Sequence, residues 1–195
     1  MSKAESTRHN ILQKAFELIY QNGYQATSID VIIATTEVTK GAFFYHFKNK
    51  EEMGLAVINE IMYPGMMPYM VEVLGKTDDV AADIYNMLKG LLLTNPFFKV
   101  KYGCPAVNLV DEMAPISETF RKALMRLMVE WQKAMQETIS TAQNKGKISK
   151  NHDAKQIALF ISASYSGARN VGKIFGRGAY EEFLRQFKIY LCSLT

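Results

Sequence analysis

The stretch of residues 26–53, ATSIDVIIATTEVTKGAFFYHFKNKEEM, limits the fold more than any other part of the chain. It holds two short helical segments, a break between them, and the start of a third helix. Thr27 and Asp30 have the T-x-x-D spacing of a capping box, in which hydroxyl and carboxylate each satisfy a free backbone N–H. Ile29, Val31, Ile32, Ile33 and Ala34 give this first helix its apolar side, and Thr35-Thr36-Glu37 breaks the pattern. A second short helix opens near Thr39 and runs through His46. Asn49, with Glu52 three residues on, repeats the capping signal. Helix, three-residue break, short helix is the helix-turn-helix unit, whose second helix enters the DNA major groove. The same pattern also suits an ordinary helical hairpin on a solvent face.

The flanking sequence is helical too. Residues 4–22 read as one amphipathic helix, with Ile11, Leu12, Ala15, Phe16, Leu18 and Ile19 at helical spacing. Gly23 stands where a left-handed C-cap is wanted. A head of about fifty residues has a thin core and must lean on the chain beyond Asn49. From Lys50 a long helical pattern runs into Pro64-Gly65 and Pro68, where a kink or break is expected because proline removes a helix hydrogen bond. Helical patterns return over 80–94 and 105–114. A long helix is capped by Ser117 and runs to about Asn144. Another starts at Asn151 or Asp153 and runs to about Phe175. A last helix covers 180–193, after Gly176 and Gly178. No strand alternation longer than a few residues appears. The expectation is an all-α chain of about nine helices: a helix-turn-helix head over 1–49 and a helical ligand-binding and dimerisation body over 50–195.

Charge sharpens the reading of the head. Net charge is only +4, so local distribution matters more than the total. Between Val38 and Lys50 stand Lys40, Lys48, Lys50 and His46, with no acid. Thr27 and Lys50 lie at helix N-termini, which are natural phosphate sites. Thr39, Lys40, Ala42 and Tyr45 are expected on the groove face. Lys40 can donate to guanine, while Ala42 or the Thr39 methyl can touch a thymine methyl. Gly41 lets the backbone approach closely. Val38, Phe43 and Phe47 have the spacing to face inward.

The run T27-S28-I29-D30-V31-I32 to V38-T39-K40-G41-A42-F43-F44-Y45-H46-F47-K48-N49-K50, with Phe16 and Gly23-Tyr24 before it, resembles the N-terminal domain of the TetR family of transcriptional regulators. The resemblance covers about fifty residues. It implies a three-helix DNA-binding head on a divergent ligand-binding and dimerisation body. It places Thr27, Thr39, Lys40, Gly41, Tyr45, His46 and Lys50 at positions that often contact DNA in the family. Phe44 departs from it, standing where many members carry a tyrosine that reaches DNA, and Ala42 is smaller than the usual Thr or Ser.

In the body, eleven methionines are many for 195 residues, and most fall between Met62 and Met135 among aromatics. Adaptable thioethers and flat rings suit an apolar pocket for a small molecule, although plain core packing uses the same residues. Tyr102, Met128, Trp131 and Tyr165 are the pocket candidates. Residues 157–175, IALFISASYSGARNVGKIF, are apolar or small nearly all round. With Phe183, Leu184, Phe187, Tyr190 and Leu191 they suggest a homodimer through the last two helices. The segment Y102-G103-C104-P105 resembles a glycine-cysteine segment in a branch of the same family that includes sensors of reactive electrophiles. At a helix N-terminus Cys104 would be a candidate redox or electrophile sensor, with Lys101 or Lys173 adding positive charge; a small buried thiol is the alternative.

The expected function is a DNA-binding regulator, a repressor released from a palindromic operator on double-stranded DNA by a small molecule or by modification of Cys104. The alternative is an all-α ligand-binding protein or enzyme without DNA binding. Against an enzyme, His9, His46 and His152 are scattered, and no zinc-protease, phosphate-loop or nucleophile-elbow motif occurs. The Asp111-Glu112 pair reads as a solvated face or a polar contact to ligand. No catalytic residue, metal or cofactor is expected. Two cysteines, no apolar leader and no membrane-length apolar run suggest a cytoplasmic chain.

Overall fold

The computed structural model describes residues 2–194, and among them every regular element is helical. Nine helices result once runs without a break are joined. They are α1 (Lys3–Asn22), α2 (Ile29–Ala34), α3 (Lys40–His46), α4 (residues 50–70), α5 (residues 80–94), α6 (Pro105–Met113), α7 (Glu118–Asn144), α8 (Ala154–Phe175) and α9 (Arg177–Cys192). A single 3₁₀ turn, Val100–Tyr102, precedes α6. No helix is long and apolar enough to cross a membrane.

Local chemistry sets most boundaries. Ser2 and Glu5 form a reciprocal capping box on α1, and Gly23 ends it at φ 90°. Thr39, Asn49, Ser117 and Asp153 cap α3, α4, α7 and α8, each side chain accepting from a backbone N–H in the first turn. The box expected at Thr27 and Asp30 does not form. Ser28 is the N-cap of α2, accepting from Val31 N–H at 3.2 Å, and the Thr27 hydroxyl donates inward to the Gly23 carbonyl at 2.7 Å. The box at Asn49 is half formed, because Glu52 turns to the N–H of Lys48 instead.

Of the kink or break expected at Pro64 and Pro68, the break is absent. α4 passes from α-helix over Lys50–Ala56 into a π-helical turn over Val57–Met62, then back to α-helix over Tyr63–Met70. A π turn inserts one extra residue and shifts the hydrogen-bond partners, and beyond it the chain stays helical through both prolines. The second π turn, Gly90–Thr94, ends α5 just before Asn95-Pro96. α9 begins at Arg177, earlier than expected, with Gly178 inside it.

The chain packs as two compact units, Met1–Gly65 with Pro105–Met125, and Met66–Cys104 with Arg126–Thr195. In the first, α1 is central, touching α2, α3 and the first part of α4. Its core includes Ile11, Leu12, Ala15, Ile32, Phe43, Phe47, Met53 and Val57. Arg8 lies 4.9 Å over the Phe47 ring and pairs with Glu60. In the second unit α9 packs on α8 and α5, around Leu88, Trp131, Met135, Ile161, Tyr165, Tyr180 and Phe187.

Not all the small residues of α8 are free for a partner. A Cβ at Gly172 would stand 2.0 Å from the Tyr180 ring, so this glycine exists to let α9 approach within the same chain. Leu184, Phe187 and Leu191 are likewise buried in their own unit. We expect Gly172→Ala to lower unfolding free energy by about 1–3 kcal/mol through overpacking. Gly178→Ala, where a Cβ meets nothing within 4 Å, should be neutral or stabilising by up to about 1 kcal/mol. Urea denaturation of the two variants checks the contrast.

Candidate functional site

The helix-turn-helix is built around two inward rings. Phe43 and Phe47 are four residues apart and fully buried, which turns the other side of α3 to solvent. That outer side carries Lys40, Gly41, Phe44 and Tyr45, with Thr39 exposed at its start; Ala42 and His46 are half-buried. Tyr45 is the most open at 79% exposure, its ring edge-on to His46 with centroids 5.0 Å apart. Phe44 is half-exposed, edge-on to Phe43.

Three expected DNA residues are otherwise engaged. Thr27 is 1% exposed with its hydroxyl spent on Gly23, so its side chain is closed to a phosphate, while Ser28 at the cap is exposed. The hydroxyls of Thr27 and Ser28 are equally good caps by sequence, and only the inward position of Ile32 tells them apart. Lys50 points back at the loop after α1. Its ammonium donates to the Gln25 carbonyl at 3.2 Å and lies 4.3 Å over the Tyr24 ring. Burial lowers its pKa, against the attraction of Glu112. Lys40 is exposed but forms an ion pair with Asp30 of α2 at 2.9 Å.

The corner that leads into α2 is held from α6. The Glu112 carboxylate accepts from the backbone N–H of Tyr24 at 2.8 Å and of Gln25 at 2.7 Å. The approach is close, since a Cβ at Gly23 would stand 3.2 Å from the carboxylate. The Tyr24 ring packs on Phe120 at 4.7 Å. A Cβ at Gly54 would stand 2.7 Å from both rings. Burial, helped by Glu51 and Glu112, pushes the Tyr24 hydroxyl up to about 12. Glu112 is therefore a structural acceptor within this unit rather than half of a solvated acid pair; Asp111 is exposed.

In the second unit, Trp131 and Tyr165 meet edge-to-face at 5.3 Å, both buried, and the indole N–H points to the Met87 sulfur at 3.3 Å. Cys104 is 1% exposed, immediately before the first residue of α6, and hydrogen-bonds with Tyr165. Burial pushes the Tyr165 hydroxyl well above its ordinary value. The Lys173 side chain crosses Gly103, where a Cβ would stand 2.3 Å from its Cε. Tyr102 and Met128 are half-buried, and Lys101 lies over the Tyr102 ring. Sequence reasoning missed Arg169, which lies at 0% exposure in this core and donates to the Tyr165 hydroxyl at 3.1 Å. Its one signal was an arginine set among small residues in SASYSGARNVG.

Two family models match the chain. The one for bacterial regulatory proteins of the tetR family matches residues 11–57, and the tetracyclin repressor-like C-terminal domain matches residues 83–187. An uncharacterized HTH-type transcriptional regulator from the lacX 3′ region of Lactococcus lactis subsp. lactis is 35% identical over 135 residues, 69% of each chain. The HTH-type transcriptional repressor DhaR of Mycobacterium sp. strain GP1 is 26% identical over 161 residues, 83% of this chain and 79% of that one. The crystal structure of the reduced form of Escherichia coli NemR matches with a TM-score of 0.80 at 23% identity, over 96% of each chain.

The corner should be sensitive to one atom pair. We expect Glu112→Gln, which keeps the shape but halves the acceptors, to lower unfolding free energy by about 1–3 kcal/mol. Asp111→Asn should stay within about 0.5 kcal/mol. Denaturant titration of the two variants separates a clamp from a generic acidic patch.

Proposed function

We infer what this chain does from one premise: it belongs to the TetR family of bacterial transcriptional regulators. It is a helix-turn-helix regulator of transcription, and we read it as a homodimeric repressor released from a palindromic operator by a small effector or by modification of Cys104. The observation that carries the DNA reading is the outer side of α3, where Tyr45 stands 79% exposed on a short helix fixed by Phe43 and Phe47. A tyrosine left that open contributes nothing to the core, and groove contact gives it a role. Thr39, Lys40, Gly41, Ala42, Tyr45 and His46 form the reading face. Ser28 and Lys48 face the phosphates, and Lys50 reaches them only by leaving Gln25.

The dimer reading rests on α8. Phe160, Ala163, Gly167, Val171 and Ile174 are exposed at spacings of three and four, which makes one stripe. Large residues stand at its ends and small ones in its middle, a form that lets a two-fold partner approach closely. Ile189 of α9, 62% exposed, with the half-buried Phe183 and Tyr190, extends the apolar surface. In the dimer two α3 helices enter successive major grooves about 34–36 Å apart. An effector that binds better when the heads are wrongly spaced shifts the population off the operator. Tyr102, Met128, Trp131 and Tyr165 are the pocket residues in this reading, and Cys104 beside Tyr165 is a second input.

The test is a gel shift with DNA from upstream of the chain's own gene. Wild type should bind specifically as a dimer. Tyr45→Ala should weaken binding, and Lys40→Ala should also reduce the log–log salt slope by about one. Val171→Asp should yield monomers in analytical ultracentrifugation and lose the operator. Alkylation should release wild type but not Cys104→Ser; equal release of both removes Cys104 from the mechanism. Absence of specific binding at low salt would overturn the DNA reading.

A further inference from the structure

The core of the second unit holds a cation with no counter-ion. Arg169 is 0% exposed. Its Nε donates to Tyr165, and its Nη2 donates to the Leu91 carbonyl. Nη1 is buried without a partner. None of the ion pairs among the described residues includes Arg169. An arginine does not escape this by losing its proton, as a buried lysine can. Around the guanidinium lie Phe98 at 4.5 Å, Tyr165 and Tyr180 at 5.4 Å, and the Cys104 thiol within electrostatic reach. Their rings attract the cation but bring no charge. Tyr165, its hydroxyl held protonated by burial, is not the missing anion.

A second observation comes from the segment that Arg169 touches. Asn95 is 6% exposed, and its Nδ2 is the other buried side-chain polar atom without a partner among the described residues. Its Oδ1 accepts from Phe97 N–H at 2.8 Å, so the amide orientation is set and the free group is a donor. Both orphans are donors. Asn95 lies in the stretch from Leu91 to Phe98, which Arg169 touches at both ends by bonding the Leu91 carbonyl and lying over the Phe98 ring. The stretch begins in the π turn Gly90–Thr94, and such turns gather at functional sites.

We propose that Arg169 and Asn95 are the anion-receiving end of the effector site, and that the effector carries a carboxylate. The proposal rests on the body being an effector-binding unit. Arg169 Nη1 takes one carboxylate oxygen and Asn95 Nδ2 adds the second donor. A carboxylate fits better than a phosphate, because two free donors among aromatic rings leave a dianion with three or more oxygens under-solvated. The rest of the effector is apolar and lies toward Phe98 and Trp131.

The experiment is thermal denaturation of the full chain with a series of monocarboxylates from acetate to benzoate. Each is compared with its amide, and with sodium chloride at equal ionic strength. Wild type should show a saturable rise of about 2 °C or more with at least one carboxylate and none with its amide. Arg169→Met should lose the response. Asn95→Asp, which keeps the acceptor to Phe97 and supplies an internal carboxylate, should melt higher without ligand and no longer respond. It decides the matter if Arg169→Met does not fold. No carboxylate response in wild type, or a response that survives in either variant, overturns the proposal. So does a slower alkylation of Cys104 in Arg169→Met with no carboxylate bound, which would assign the cation to the thiol. The gel shift separates the two readings. Carboxylate binding that leaves the operator complex intact upholds the anion site and removes its regulatory role. Operator release by an uncharged molecule alone upholds regulation and overturns the anion site.

Discussion

Two backbone N–H groups at the corner between α1 and α2 are satisfied by one carboxylate, and the DNA-reading part of the molecule hangs on that contact. Gly23 ends α1 at positive φ, which leaves the N–H groups of Tyr24 and Gln25 pointing away from any helix. Glu112 takes both. Charge-assisted bonds to backbone are short and directional, so they fix the direction in which the chain leaves α1. Lys50 closes the other side by donating to the Gln25 carbonyl. The corner is thus tied to α6 by its N–H groups and to α4 by a carbonyl, and α2 starts within a few residues of it.

What the sequence revealed and what it hid divide by distance along the chain. Caps at Thr39, Asn49, Ser117 and Asp153 were legible because donor and acceptor lie within one turn. So were the inward Phe43 and Phe47, set by helical spacing. The cap of α2 was misplaced by one residue, since Thr27 and Ser28 are chemically equivalent until Ile32 is known to face the core. Pro64 and Pro68 read as a kink or break, yet the helix runs on through both after a π turn. Gly172 read as a surface for a partner, when its neighbour is Tyr180 of the same chain. Glu112 and Arg169 could not be read at all. The partners of Glu112 and the Leu91 contact of Arg169 lie 88, 87 and 78 residues away, and the only local marks of Arg169 are its bond to Tyr165 four residues back and its setting among small residues.

The reading face itself is narrower than its lysines suggest. Lys40 is the one residue of α3 that can donate bidentately to a guanine edge, yet in the free protein it is paired with Asp30. That pair is exposed at both ends, where such contacts contribute little and fall with salt. It does not block DNA, but Lys40 must exchange one anion for another on binding, so its net gain is the difference between a carboxylate and a base or phosphate. Tyr45 makes no such exchange. Ala42 and Phe44 offer only apolar contact. On the proposed reading, discrimination between operators falls mainly on Tyr45, on apolar contact with thymine methyls, and on the spacing set by the dimer, while Lys40 contributes more to salt-dependent affinity than to sequence choice.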